Sequence, residues 1–303
     1  MDHFGRRHFI KSTAAAALFV PAIPSILRAQ TIAPRIILTA PITLNYAPGG
    51  SPTGDGTTAN PYPSAEFVWN LLQAKYDLAG LPGTVVTIQA MTGTYTTGEN
   101  ITGPLVGQRG AFSVKINGNP TTPIVYDTRA SNPIYVAFAA NDGAKFTIGG
   151  FHLFSSQANI AVDQPGSHVV ISDYIVCDQP QDHHISATNG GIIDITTNYD
   201  IQSSTPGNHL NVFGAGAAIR FLQSSTVKLL GNSLWFNQGF ANVSGPGSLQ
   251  TSNTNFFAGY NGWGPRAIIS GGGYINTGSA NPAMHFPGST AVQNPSGTGG
   301  YLF

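Results

Sequence analysis

The sequence predicts an all-β chain wound into stacked coils, and three observations carry that prediction. A short phrase recurs through the second half, at Ala144–Phe151, Ser167–Tyr174 and Gly191–Tyr199, then in looser form at Ser225–Leu234, Gly247–Phe256 and Arg266–Tyr274. Each copy reads as a strand with alternating inward positions, a turn of Gly, Asn, Asp or Ser, and a bulky apolar residue. Measured on that last residue, the spacings are 23 (151 to 174), 25 (174 to 199), 35 (199 to 234), 22 (234 to 256) and 18 (256 to 274). Strands repeating at twenty-odd residues with no long helix between them are the mark of a solenoid. Charged residues make up only 9% of the chain, yet 41% hydrophobic residues with 17 Phe and 11 Tyr supply a core. Such a balance suits coils whose outer faces carry Thr, Ser and Asn ladders.

The first thirty residues read as an export address. Gly5–Lys11, with Arg6 and Arg7, resembles a twin-arginine signal, and Ala14–Val20 forms an apolar segment too short to span a bilayer. Cleavage after Ala29 would leave a protein delivered folded to the periplasm or the cell exterior. It would remove four of the 13 basic residues (Arg6, Arg7, Lys11, Arg28) and one of the 13 acidic ones (Asp2), leaving 9 positive and 12 negative charges. After Lys145 the only basic residues, histidine aside, are Arg220, Lys228 and Arg266. This excludes a nucleic-acid stripe and a polybasic membrane patch. The single cysteine, Cys177, rules out an intrachain disulfide and lies in an apolar strand, where it reads as a small buried hydrophobe.

Beyond residue 30 the chain reads as one domain: residues 30–84 at the N-terminal end, coils over 85–276, and a tail over 277–303. Residues 48–61 are rich in turn formers, and the one convincing helix follows. Ser64 is its N-cap, Glu66 sits in its first turn and Gly80 closes it. Phe67, Val68, Leu71, Leu72, Ala74 and Tyr76 form its apolar stripe. A lone amphipathic helix at this place would cover the open end of the coil stack, blocking its apolar interior and its strand edges.

Several segments carry a family resemblance. Asn45–Gly50, Gly54–Thr57, Asn60–Tyr62, the helix, Val86–Gln89 and Gly93–Tyr95 follow the order of an N-terminal capping unit in the right-handed parallel β-helix proteins, the pectin-lyase-like superfamily. The ending, Phe286–Ala291 with Thr298–Tyr301, resembles phage-derived tail-fibre and tail-spike-like proteins. The first resemblance implies a right-handed parallel β-helix with three sheets and a polysaccharide as partner, bound or cleaved in a groove along one sheet. The second implies a structural alternative, a non-catalytic fibre-like surface protein that forms a homotrimer. Fold alone establishes neither.

The polygalacturonase-like branch would show an Asn-x-Asp, an Asp-Asp, a Gly-His-Gly and an Arg-x-Lys. Only the first occurs, at Asn198 and Asp200, which argues against paired-carboxylate hydrolysis. The lyase branch holds Ca²⁺ on several Asp oxygens, and Asp173, Asp178 and Asp182 are the candidates here, weighed against turn-capping. Stacking the repeats in register places Thr147, Val170, Asp194, Lys228, Gln250 and Ile269 in one outward column. Asp194 and Lys228 then become neighbours, with Arg220 close by, as acid and base of a lyase or as an ion pair. His183 and His184 point to opposite faces of a strand and do not form a metal site. Trp263 and Tyr260 are the aromatic candidates for stacking on sugar rings. The predicted role is recognition of an extracellular or cell-envelope polysaccharide, with lyase-type cleavage as its enzymatic form.

Overall fold

A computed structural model describes residues 34–130, 136–231, 233–252, 254–257, 261–293 and 300–303. The expected export signal, residues 1–29, lies outside them. Among the described residues three long sheets run the length of the chain, with ten, seven and seven strands, and every paired strand is parallel to its neighbours. One coil illustrates the rest. Lys145–Gly149 lies in the first sheet, Phe151–Phe154 in the second and Ala158–Asp163 in the third, and His168–Ile171 returns beside the starting strand. The chain is a parallel β-solenoid of about seven coils.

The inward positions explain why it stacks. Ile88, Ile116, Ile148, Ile171 and Ile195 follow one another in register along the first sheet, with Phe221 next, and all are buried. β-branched side chains repeated at the strand spacing stack on one another along the interior. The outward turns from the third sheet to the first place residues in the left-handed region, as at Asn189 (φ 47°) and Gly190 (φ 90°). The glycine segments at 214–216 and 271–273 occupy these same corners. Cys177 is buried in the interior, and that burial pushes its thiol up, so it acts as a packed hydrophobe.

Two features of the repeat differ from expectation. Phe151 stands opposite Ile175, not Tyr174, and the Ser225–Leu229 strand belongs to the second sheet. The first-sheet strand of that coil is Ala218–Phe221. The spacing of 35 reflects no hidden coil. Between the second and third sheets the chain inserts Ser233–Trp235, which pairs with Asn261–Trp263 in a small separate sheet.

The helix spans Ala65–Lys75, and Ser64 Oγ accepts the Phe67 N–H at 3.0 Å, as its N-cap role requires. It ends before Gly80, because Tyr76 and Asp77 turn into a strand paired with Ile36 and Ile37. Gly80 is small for another reason: a Cβ there would meet the Leu38 carbonyl oxygen at 2.5 Å. The largest fully buried side chain of the helix is Trp69. The helix lies against Glu99–Thr102, the terminal strand of the third sheet. Glu66 Oε2 accepts the Asn100 N–H, Gln73 donates to the Thr102 carbonyl, and Trp69 Nε1 donates to the Gly103 carbonyl at 3.1 Å. In return the buried Glu99 carboxylate accepts the Glu66 N–H at 2.8 Å and the Tyr126 hydroxyl at 2.9 Å. Helix side chains thus satisfy backbone groups that a further strand would otherwise have paired.

In the tail, Phe286 is buried against Phe240 and Phe256 at the last coils. Tyr301–Leu302 adds the last strand of the first sheet.

Candidate functional site

The outward column of the first sheet runs Thr87, Lys115, Thr147, Val170, Asp194, Arg220, Gln250, Asn276. Arg220, not Lys228, follows Asp194. Lys228 lies on the second sheet beside Asp200, because its strand follows the turn rather than preceding it. Ile269 belongs to the third sheet. The expected Asp194–Lys228 pairing is therefore replaced by an Asp194–Arg220 pair.

That pair is well built. Arg220 Nε donates to Asp194 Oδ1 at 2.7 Å and Nη2 to Oδ2 at 2.9 Å, a two-pronged contact on one edge of the guanidinium. His168, one coil earlier and on the same face, brings Nε2 to 2.8 Å from Asp194 Oδ2. The Asp194 side chain is 5% exposed, against 24% for His168 and 33% for Arg220. Burial alone would raise the Asp194 carboxyl, but the hydrogen bonds and charges of His168 and Arg220 outweigh it and hold the group below its ordinary value. An ionised Asp194 can only accept, so His168 Nε2 carries the proton, and a neutral ring then presents Nδ1 as its basic nitrogen. Sequence reasoning missed His168. Its signal was present in the pleat: two residues before Val170, it shares that residue's face and lies diagonal to Asp194.

The three metal candidates are not brought together. Asp173 pairs with Lys115 at 2.5 Å, Asp178 with His152 at 3.0 Å and Asp182 with His183 at 3.2 Å. Among the described residues no group of three His, Cys, Asp or Glu side chains is placed to hold a metal ion. A Ca²⁺ shell needs six to eight converging oxygens, and these carboxylates each face a different basic group instead.

A second polar cluster lies on the outer face of the second sheet. His152 stacks on Phe154 with centroids 4.4 Å apart, and the Arg129 guanidinium sits 4.8 Å over the same phenyl ring. Arg129 also pairs with Asp127 at 2.5 Å and contacts Gln179. One coil on, the Tyr174 hydroxyl donates to Asp200 at 2.5 Å. Adjacent coils bring together residues distant in sequence, which only the register reveals.

Trp263 is exposed, at 39%, and its partner in register is Trp235, 52% exposed. Their indoles stack with centroids 5.5 Å apart and an interplanar angle of 16°. Trp235 is not among the residues selected from the sequence, because most aromatics of the last third are expected in the coil interior; Phe236 is buried and Trp235 exposed. Tyr260 lies outside the described residues. His184 is buried and His183 faces the other way, as the strand alternation requires.

Comparison with protein-family models, with curated proteins and with solved structures gives no match to this chain. The fold and these side-chain clusters define a parallel β-solenoid with an exposed aromatic pair and a buried-carboxylate cluster on separate faces.

Proposed function

We propose that this chain recognises an extracellular or cell-envelope polysaccharide, and that kinship to the pectin-lyase-like proteins and export by the twin-arginine route belong to the same reading. The observation that supports it best is the Trp235–Trp263 pair, two large apolar surfaces held at the periphery on a short sheet of their own. Exposed tryptophan is unfavourable in water unless a partner covers it, and the C–H-rich face of a pyranose is a fitting cover. Surrounding faces rich in Ser, Thr and Asn supply neutral donors and acceptors for hydroxyls. Titration with purified envelope and plant-type oligosaccharides should change the tryptophan fluorescence saturably. Trp235→Ala and Trp263→Ala should each weaken binding about three- to tenfold, the worth of one aromatic contact. A double variant that binds every ligand as well as the parent chain would end this reading.

The His168–Asp194–Arg220 cluster favours lyase-type cleavage as a second reading. In β-elimination a base removes the proton beside a uronate carboxylate, a C=C bond forms, and the C–O bond on the next carbon breaks, its oxygen leaving as a hydroxyl after taking a proton from water. In this reading His168, held through Nε2 on Asp194, takes that proton on Nδ1, while Arg220 is engaged on the same carboxylate. Uronate polymers should then yield an unsaturated, ultraviolet-absorbing product. Asp194→Asn, which removes the charge that orients His168, should lower the rate at least a hundredfold. No product from any uronate polymer would leave recognition without cleavage.

A further inference from the structure

Where the first coils turn from the first sheet to the second, two adjoining cavities of about 460 and 290 Å³ share Thr92, Asn119 and Ile124. The larger has the size of a small-molecule site. Its wall on the first sheet belongs to an amide ladder, in which Asn45, Gln89 and Asn117 stand in register on successive strands. The ladder is fixed from within: Asn117 Nδ2 donates to Gln89 Oε1 at 2.7 Å, and Gln89 Nε2 donates to the Asn117 carbonyl at 3.1 Å. Asn45 Nδ2 donates to the Gly56 carbonyl at 2.8 Å, which leaves its Oδ1 without a donor among the described residues. Asn119, in both cavities, is oriented in the same manner. Its Oδ1 accepts the Thr121 and Thr122 N–H groups at 3.0 and 3.1 Å, so its exposed amide presents Nδ2 with no acceptor among the described residues.

No charged residue lines either cavity. An ionic ligand would leave water there without a counter-charge. The exposed hydroxyls of Thr58, Thr92, Thr94 and Thr122 each donate and accept, and they complement a ligand whose own groups do both. Met91, Pro120, Pro123, Ile124 and Val125 add apolar surface between them. Hydroxyls carried on a C–H framework meet both demands. A peptide would have to pair with Thr94–Tyr95, the terminal strand of the second sheet, whose two residues are too few for a ladder. We propose that this trench binds an uncharged saccharide, its hydroxyls on Asn119 Nδ2, Asn45 Oδ1 and the Thr92 hydroxyl, its C–H face against Ile124 and the two prolines. The site shares no residue with the Trp235–Trp263 pair, which follows strands at the opposite end of the second sheet, and the two sites are independent.

Cellotriose, maltotriose, xylotriose and mannotriose are the neutral probes and trigalacturonate the charged one, each titrated into the protein and read from amide NMR shifts. At least one neutral trisaccharide should shift the Asn119 side-chain amide and the Thr92 backbone amide saturably, and trigalacturonate should bind there at least tenfold more weakly. Asn119→Asp keeps the oxygen that the turn amides need and removes the free donor. Thr92→Val removes one exposed hydroxyl at nearly constant volume. Each should weaken binding about fivefold, the worth of one hydrogen bond, with Tm unchanged. The double variant Trp235→Ala, Trp263→Ala should keep the shifts at Asn119 and Thr92. Shifts confined to the tryptophan indoles would overturn the trench site while leaving recognition by the tryptophan pair standing, and shifts confined to the trench would do the reverse. No shift with any neutral trisaccharide, equal binding of trigalacturonate, or full affinity in both trench variants would each overturn the proposal.

Discussion

Between pH 6.5 and pH 4.5 the fold should lose stability, and His184→Phe should lessen that loss by about 2–3 kcal/mol. His184 and His209 occupy successive positions of an interior column at the corner leading into the third sheet, with Asn159 before them and Phe240 after. Both imidazoles are fully buried, with ring centroids 5.0 Å apart. Neither nitrogen of His184 has a hydrogen-bond partner, and His209 has only the Tyr199 hydroxyl, at 2.6 Å. Burial holds His184 down to about 3 from its ordinary 6.5, the nearby Asp178 offsetting little of this and His183 adding to it. Burial, with His184 beside it, pushes His209 down as well.

The sign follows from proton counting. Below pH 6.5 the unfolded chain takes up a proton at His184 that the folded chain refuses until about pH 3, so stability falls with pH by about 1.4 kcal/mol per unit on that account, and His209 adds in the same direction. Glu99 acts in the opposite direction. Burial raises its carboxyl from 4.5 to about 7, so between those values the folded chain holds a proton that the unfolded one releases. His184 and Glu99 nearly offset each other between pH 6.5 and 4.5, so the net loss there falls to His209, and below 4.5 Glu99 no longer opposes it. His183 and His285 are also lowered by burial and add in the same direction. His184→Phe places at this position the residue type found at 240 in the same column. It should also add about 1–3 kcal/mol at pH 7, because two unpartnered nitrogens leave the core. Urea midpoints measured from pH 7.5 to 4.5 test this; a variant with the parent's pH slope would sink it.

The solenoid was legible because its signals are local and repeated: the Ile column, the Gly and Asn corners, and the Ser64 cap need no knowledge of which strands meet. Register was not. The phrase of strand, small turn and bulky residue describes any corner of a coil, so Ser225–Leu234 and Arg266–Tyr274 match it while starting in the second and third sheets. One misassigned strand moved Lys228 into the column that Arg220 occupies. His168 and Trp235 were hidden for a related reason, since each acquires a partner only when a neighbouring coil is laid beside it.

Trp69→Ala should cost about 3–5 kcal/mol, and the loss should be confined to the N-terminal coils. Trp69 is the largest fully buried side chain, its indole meets Phe146 edge-on at 5.9 Å, and Nε1 satisfies the Gly103 carbonyl. Removing it leaves a cavity and an orphaned acceptor where the helix meets the terminal strand of the third sheet. The helix is held there by this side chain and by the reciprocal contacts of Glu66 and Glu99, so their geometry depends on its seat. A solenoid is nearly one-dimensional, each coil touching only its neighbours, so damage at one end need not unfold the other. Hydrogen exchange is therefore the right measurement. The Asn100 amide and the helix amides should exchange at least a hundredfold faster, while Ile185–Thr188, several coils away, keep their protection. Once uncovered, the Glu99–Thr102 edge offers unpaired backbone groups to other chains, and the variant should aggregate with a steep concentration dependence. Phe112→Ala, at a large but exposed residue, should change stability by less than about 0.5 kcal/mol and leave the edge protected. If Trp69→Ala exchanged uniformly faster along the whole chain, the helix would be supporting a single cooperative unit rather than shielding one strand edge, and its role would have to be redrawn on that basis.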